Sequence, residues 1–175
     1  MLNEKKLREI TVTAALAALY FALCFAFAGI SYGPVQFRIA EVLLILAAYN
    51  KKYCAGIIIG TFIANQYMYG WIDMLAGTFA TVLVCAAIIL AREGLMKKAA
   101  AVVAASLFNG VIIGLMLSYI FGEPGALWFI MATVALGQLA VVLAGALMFS
   151  GAEKTNPGFI ESVRRMNIKR GEKSG

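Results

Sequence analysis

The sequence contains no histidine and very little charge. Charged residues make up 14% of its 175 positions, whereas soluble domains carry about 25%. Hydrophobic residues reach 62%, and the mean hydropathy is +0.86. An ordinary soluble domain is therefore excluded, and the composition is typical of a protein embedded in a lipid bilayer.

Groups that perform catalysis or bind metals are also scarce. The three cysteines, Cys24, Cys54 and Cys85, lie far apart in or beside apolar stretches, without a CxxC pair. With no histidine present, this spacing predicts neither a zinc site nor a disulfide framework. The sequence has no Walker A loop, no HExxH motif and no nucleophile elbow. We therefore expect no metal, no cofactor and no enzymatic activity of the chain itself.

Six apolar runs are candidates for membrane-spanning helices, which need about 20 mostly apolar residues each. The predicted spans are residues 11–30, 38–50, 54–69, 74–91, 99–121 and 126–149. This pattern predicts an all-α, polytopic integral membrane protein: a six-transmembrane-helix bundle in residues 1–150, followed by a basic cytoplasmic tail in residues 151–175.

The basic residues set the predicted orientation. If the amino terminus is cytoplasmic, all 15 lysines and arginines except Arg38 fall on the inner side, as the positive-inside rule requires. Both termini are then cytoplasmic, and the basic excess requires no nucleic-acid partner. Ala26, Phe27 and Ala28 also form an A-x-A pattern, but cleavage there would remove the first span and invert the charge pattern.

The tail has an apolar pattern of its own. Phe159, Ile160, Val163 and Met166 recur at helical spacing among basic residues. A short helix on the anionic inner leaflet and a solvated tail are both consistent with this pattern.

The second span is unusually short. Residues 38–49 extend only about 18 Å as a helix, against a hydrocarbon core of about 30 Å. The preceding segment, residues 31–37, contains turn-forming residues. Irregular backbone at membrane depth is tolerated only where protein buries it or where it lines a wet cavity. We therefore expect this segment to fold into the outer mouth of the bundle.

The charged residues at or near this outer side are Arg38, Glu41, Asp73 and Glu123. Arg38 and Glu41 are three residues apart and share one helix face, and intramembrane charges are functional candidates by default. An ion pair between them that merely seals the helix start is the alternative. Asp73 opens the fourth span, as a site residue or as a helix N-cap.

Other polar and aromatic residues admit two interpretations each. Asn65, Asn109 and Gln138 either hold helices together or line a pocket. Aromatic residues near the same face, including Tyr67 and Trp71, belong either to an interfacial belt or to a pocket for a flat polar molecule.

Three segments together resemble the QueT family. These are Q-F-R-I-A-E at 36–41, G-T-F-I-A-N at 60–65 and D-M-L-A-G-T-F-A-T at 73–81, within a likeness that covers about residues 8–150. Members of this family are substrate-binding (S) components of energy-coupling factor (ECF) transporters in prokaryotic cell membranes. The resemblance implies an importer component that depends on a transmembrane coupling subunit and two ATPase subunits.

The implied ligands are 7-deazaguanine bases: cyano or aminomethyl queuosine precursors, or queuine. A carboxylate suits the adjacent N–H and amino donors of such a base, with Glu41 the first choice and Asp73 the second. Arg38 or an amide would serve the ring carbonyl, and an aromatic ring would stack on the heterocycle. The predicted substrate-binding residues are Gln36, Phe37, Arg38, Glu41, Asn65, Tyr67, Trp71, Asp73, Asn109 and Gln138.

Small residues mark one face of the first span. Ala14, Ala18, Ala22 and Ala26 recur every four residues. The resemblance implies that Ala14, Ala18 and Ala22 dock against the coupling subunit, whereas packing inside the monomer is the alternative. An S component for another vitamin or heterocycle, and a structural membrane protein without a ligand, are the competing functions.

Overall fold

The computed structural model describes residues 3–31 and 36–165, and helices account for most of this part of the chain. A membrane supplies no water to the backbone, and a helix satisfies its own N–H and C=O groups. The helices are α1 (Glu4–Ala26), α2 (Ala28–Ser31), a 3-10 helix (Ile39–Leu43), α3 (Leu44–Tyr49), α4 (Tyr53–Tyr69), α5 (Trp71–Leu90), α6 (Leu95–Tyr119), α7 (Leu127–Thr155) and α8 (Pro157–Arg164). No strand occurs among the described residues, so the prediction of an all-α fold is confirmed.

Four helices are long and apolar enough to cross a membrane: α1 from Lys6 onward, α5, α6 and α7. The helices at the other two predicted spans are shorter than these four. The second comprises the apolar segment Ile39–Tyr49, and the third is α4, with 17 residues. Six crossings and cytoplasmic termini therefore stay predictions, while a multi-pass membrane protein is supported by the four long helices.

The long helices form a curved wall around the second predicted span. Along this wall α1 packs on α4, α4 on α5, α5 on α6 and α6 on α7. The 3-10 helix contacts both α1 and α7, the two ends of the wall. The following helix α3 contacts α4, α5, α6 and α7. The second predicted span is thus the central element of the bundle.

Its central position explains the apolar composition of this segment. Leu44, Ile45 and Ala47 are at most 1% exposed, so every face of α3 meets protein. A helix that is apolar all round belongs in a protein interior or in lipid. Because the wall surrounds it, the segment does not need to match the bilayer thickness by itself.

Glycines allow two helix pairs to approach closely. A Cβ atom on Gly60 of α4 would lie 2.6 Å from the Cβ of Tyr20 on α1. A Cβ atom on Gly114 of α6 would lie 2.6 Å from the Cγ of Met131 on α7. Small residues with this role are common where helices meet in membranes.

The start of the tail is helical. Pro157 stands in the first turn of α8, and the side chain of Asn156 accepts a hydrogen bond from the N–H of Phe159 at 3.1 Å. Ile160 and Val163 are buried against the bundle, and α8 packs on α7 and α3. A solvated tail is thus wrong for residues 157–164, while residues 166–175, with Met166, lie outside the described residues.

Candidate functional site

A layer of buried polar side chains separates two apolar clusters of the bundle. The larger cluster includes Ala105 of α6 and Val142 of α7, and the smaller one includes Ile113 of α6 and Val134 of α7. Polar residues lie between them on both helices, and others lie on α1, α4, α5, the 3-10 helix and the segment before it. We call the following set the polar layer: Tyr20, Gln36, Arg38, Glu41, Thr61, Asn65, Asp73, Thr81, Asn109 and Gln138, each at most 1% exposed.

Arg38 and Asp73 form a buried ion pair within this layer. The Nη2 atom of Arg38 lies 3.3 Å from Oδ1 and 3.4 Å from Oδ2 of Asp73. The pair joins the segment before the 3-10 helix to the first turn of α5, across 35 residues of sequence. Charges buried at membrane depth are costly unless they are paired.

The structure bears on two alternatives that the sequence left open, one for Asp73 and one for Arg38. The expectation that Asp73 is the N-cap of α5 is wrong, because Gly70 occupies that position and no side chain caps the helix. The ion pair that the structure shows for Arg38 is formed with Asp73 of α5, whereas the alternative had placed its partner, Glu41, on the same helix face. The reason is packing: α5 brings Asp73 to Arg38 from another element.

Glu41 has a different partner. The Tyr20 hydroxyl donates a hydrogen bond to Oε1 of Glu41 at 2.6 Å, while Oε2 of Glu41 has no hydrogen-bond partner among the described residues. Tyr20 was missed by sequence reasoning, because it stands inside an apolar span and counts as apolar in a hydropathy window. A buried tyrosine hydroxyl generally requires a partner, and that requirement is the signal that identifies it.

Asn65 of α4 reaches α5 beside this ion pair. Its Nδ2 donates to the backbone oxygen of Asp73 at 3.2 Å. A Cβ atom on Gly77 would lie 2.0 Å from that Nδ2 and 3.4 Å from Nη1 of Arg38. Gly77, which sequence reasoning also missed, therefore provides the space that Asn65 and Arg38 occupy.

Threonines continue the contact between α4 and α5 on the side away from Asp73. The hydroxyl groups of Thr61 and Thr81 are 3.5 Å apart. Thr61 donates to the Ile57 carbonyl, and Thr81 donates to the Gly77 carbonyl, both at 2.9 Å. Each hydroxyl therefore has a hydrogen-bond acceptor within its own helix. The two threonines join α4 to α5 and leave no unpaired hydroxyl for a ligand.

The predicted inserted segment is described only at its two ends, because residues 32–35 lie outside the described residues. Ser31 and Gln36 are buried at these ends, and the N–H of Phe37 donates to the Ile30 carbonyl at 3.0 Å. Gln36 has a φ of +48°, in the left-handed region that few residues other than glycine adopt. The Oγ of Ser31 and the Oε1 of Gln36 have no hydrogen-bond partner among the described residues.

Asn109 and Gln138 also keep carboxamide oxygens without a partner in the described part of the chain. The Nδ2 of Asn109 donates to the Ala105 carbonyl of its own helix at 3.0 Å. A Cβ atom on Gly145 of α7 would lie 3.0 Å from Val42. Gln138 is two helical turns before Gly145, roughly 10 Å at 1.5 Å per residue. It is therefore level with the residues just before Ile39, at the depth of the ion pair.

The three aromatic residues named for stacking lie outside the polar layer. Tyr67 and Trp71 are each 65% exposed, and Phe37 is 40% exposed. Tyr67 contacts the rings of Phe21 and Phe25 edge-on. In these positions Tyr67 and Trp71 resemble the interfacial belt that the sequence offered as the alternative.

The alanine face of α1 is exposed. Ala14, Ala18 and Ala22 all point away from the bundle, whereas the face with Ala17 and Tyr20 packs on the glycines of α4. The alternative that these three alanines pack inside the monomer is therefore wrong.

No group of three or more potential metal ligands comes together in residues 3–31 and 36–165. What the polar layer offers is an ion pair, an acidic side chain with one open oxygen, and several carboxamide oxygens. This arrangement suits the binding of a small polar molecule that donates hydrogen bonds.

Comparison with known proteins agrees with this interpretation. The sequence model of one family, described as QueT transporter, matches residues 10–154. The chain is also similar to the queuosine precursor transporter QueT of Lactococcus lactis subsp. cremoris, with 31% identity over 162 residues that cover 84% of this chain and 93% of that protein. No solved structure matches the chain.

Proposed function

Because the chain belongs to the QueT transporter family, we propose that it is the substrate-binding S component of an ECF-type importer. It captures a 7-deazaguanine queuosine precursor, or queuine, on the outer side of a prokaryotic cell membrane. Two ATPase subunits supply the energy through a transmembrane coupling subunit. The bundle crosses the membrane six times, with both termini in the cytoplasm.

The observation that carries the proposal is the open oxygen of Glu41. Oε2 is buried in the polar layer and has no hydrogen-bond partner among the described residues. An unsatisfied buried acceptor costs about 1 to 3 kcal/mol, and more when it is charged. A guanine-like edge presents adjacent ring N–H and amino donors, which satisfy a carboxylate.

Neighbouring residues complete the proposed recognition. Asp73 is the second choice for the base, but both of its oxygens face Arg38, so we assign it the role of orienting the guanidinium. Arg38 then donates to the ring carbonyl of the base. Gln36, Asn109 and Gln138 contribute carboxamide groups from three sides. Phe37, at the rim, is the aromatic residue nearest in sequence to these groups.

The exposed face of α1 supports the proposed partner. Ala14, Ala18 and Ala22 present a flat strip on the outside of the bundle, and small residues allow helix backbones to approach closely in lipid. We assign this strip to docking against the coupling subunit. Its position on the opposite side of α1 from Tyr20 separates partner docking from ligand binding.

The first prediction tests Glu41 directly. We expect Glu41→Gln to weaken binding of a 7-deazaguanine base at least about tenfold, since loss of a buried charged acceptor costs more than about 1.4 kcal/mol. Calorimetry on the purified full-length protein measures the affinity. Mass spectrometry of small molecules retained after gentle purification identifies the natural ligand.

Glu4→Gln is the matched control, because Glu4 is exposed in the first turn of α1. It makes the same chemical change and is expected to leave binding unaltered. If Glu41→Gln folds and binds with wild-type affinity, Glu41 is not in the site. If the wild-type protein binds no 7-deazaguanine base and retains none, the proposed function is wrong.

A further inference from the structure

The side chain of Tyr20 is enclosed where α1 packs on α4. Tyr20 is 0% exposed, and it lies directly against Gly60 of α4. A Cβ atom on Gly60 would lie 2.6 Å from the Cβ and 3.0 Å from the Cγ of Tyr20. A side chain packed this closely in an interior has little freedom to change its rotamer. The packing of α1 on α4 therefore sets the direction in which the Tyr20 hydroxyl points.

This hydroxyl ends at the carboxyl group of Glu41. The distance of 2.6 Å between the Tyr20 hydroxyl oxygen and Oε1 of Glu41 is at the short end of the range for O–H···O hydrogen bonds. Glu41 lies in the first turn of the 3-10 helix, and this helix packs on α1 as well as on α7. One oxygen of the carboxyl group is thus held from α1, while the other, Oε2, has no hydrogen-bond partner among the described residues.

A glutamate side chain needs such a restraint if it is to recognise a flat ligand by its edge. The terminal bond that turns the plane of the carboxyl group has broad preferences, so packing alone does not fix that plane. Binding sites gain affinity when groups that contact the ligand are held in place before it arrives. The hydrogen bond from Tyr20 supplies this restraint on Glu41.

The inference rests on the proposed function and adds a residue, and a dependence on α1, to its site. We propose that Tyr20 is a positioning residue, which orients the carboxyl group of Glu41 toward the ring N–H and amino donors of the base. Tyr20 acts through Glu41 rather than on the ligand. Because the packing of α1 against Gly60 places the hydroxyl, the position of α1 controls how well the site recognises the base.

The first test measures how well Tyr20→Phe distinguishes two bases, by calorimetry on the purified full-length protein in lipid nanodiscs. One probe is 7-cyano- or 7-aminomethyl-7-deazaguanine, whichever the wild type binds more tightly, and the other is its analogue without the 2-amino group. We expect the wild type to prefer the base with the amino group at least about tenfold, because its absence leaves a buried acceptor unpaired. In Tyr20→Phe, which keeps the ring, this preference is expected to fall to about threefold or less.

The preference between the bases separates positioning from a general effect on packing, which would lower both affinities equally. An unchanged preference in Tyr20→Phe, or a wild type that does not prefer the amino group, overturns the inference. Tyr53→Phe is the matched control, because the Tyr53 hydroxyl also donates a hydrogen bond, to the Val163 carbonyl at 3.0 Å. It is expected to retain the wild-type preference, and a loss as large as in Tyr20→Phe overturns the inference. If the wild type binds neither base, the proposed function itself is wrong.

Gly60→Ala tests the dependence on α1 and keeps every polar group of the layer. The added methyl group displaces Tyr20, so the preference for the amino group is expected to fall at least about threefold. Adding Gly60→Ala to Tyr20→Phe should lower the preference no further, because both changes act on one hydrogen bond. Gly151→Ala, with no atom within 4 Å of its Cβ position, is the control. A wild-type preference in Gly60→Ala overturns the dependence on α1, and this variant decides the inference if Tyr20→Phe does not fold.

Discussion

At the scale of single residues, the polar layer leaves little room for change at Gly77. Its position within α5 places the side chain of Asn65 against the backbone, where another residue would have a Cβ atom. Glycine within a helix lowers stability by about 1 kcal/mol relative to alanine. At this position glycine is nevertheless required, because the side chains of Asn65 and Arg38 occupy the space that a Cβ atom would fill.

Gly77→Ala is therefore expected to weaken ligand binding at least about tenfold and to destabilise the protein by about 1 to 3 kcal/mol, as overpacked sites do. The added methyl group displaces the amide of Asn65, which lies 2.0 Å from the position of the new Cβ atom. Thermal unfolding in detergent measures the stability, and calorimetry with a 7-deazaguanine base measures the affinity.

Gly151→Ala provides the matched control. It also lies within a helix, and no atom lies within 4 Å of its Cβ position, so the same substitution is expected to be neutral or slightly stabilising. Equal unfolding temperatures and affinities for the two variants would show that Gly77 does not provide the space for Asn65.

Sequence reasoning identified most of the buried polar residues but not their partners. Arg38, Glu41, Asn65 and Asp73 stand out because polar groups are rare in apolar spans. The partner of Arg38 was not predictable, because helical spacing favours Glu41 and only the packing of α5 brings Asp73 close. Tyr20 was missed because its hydroxyl is invisible to a hydropathy count.

At the scale of elements, α8 is attached to the end of the bundle where α3 meets α4 by two hydrogen bonds to its backbone. The Nδ2 of Asn50 donates to the Arg164 carbonyl at 2.9 Å, and the hydroxyl of Tyr53 donates to the Val163 carbonyl at 3.0 Å. Carbonyls at a helix end lack partners within the helix. The residue after α3 and the first residue of α4 thus supply partners for the last turn of α8.

Removing both donors, in Asn50→Ala with Tyr53→Phe, is expected to loosen α8. Each hydrogen bond contributes about 0.5 to 1.5 kcal/mol, so amide hydrogen exchange in residues 160–165 should accelerate by about tenfold. Tyr119→Phe removes a tyrosine hydroxyl from a side chain that is 74% exposed and is the control. Unchanged exchange in the double variant would mean that other contacts hold α8, namely the burial of Ile160 and Val163 and the ion pair between Arg164 and Glu153.

The elements themselves were predictable in type but less so at their ends. The all-helical character follows from the apolar runs, because backbone N–H and C=O groups in a membrane have no water to bond and must pair with each other within the helix. The helix α7 continues to Thr155, beyond the predicted end at 149, because a helix does not stop where its apolar stretch stops. The 3-10 geometry of Ile39–Leu43 has no counterpart in hydropathy.

At the scale of the whole molecule, the sequence predicted the number of apolar runs but not their arrangement. Short connections predict that successive helices are neighbours, as α4, α5, α6 and α7 are. The placement of α1 against α4, with the second predicted span inside the wall, depends on Gly56 and Gly60. Small residues indicate that another helix approaches closely, but they do not identify which helix it is.

The predicted orientation is testable with single cysteines. Cys24, Cys54 and Cys85 are buried, so a membrane-impermeant maleimide should react slowly with the unmodified protein. We expect Glu123→Cys, between α6 and α7, to react in intact cells. Glu93→Cys, between α5 and α6, should react only in inverted vesicles, because the basic residues around it are assigned to the cytoplasm. The reverse labelling pattern would invert the proposed topology.

The left-handed backbone of Gln36 has a consequence for evolution. Glycine would relieve the strain but would remove a carboxamide, and a β-branched residue would keep bulk but resist this conformation. Asparagine adopts such a conformation more readily than most residues, with an arm one methylene shorter. Homologues that bind the same molecule should therefore have one of very few amino acids at this position. Homologues with other residues there should bind a different ligand.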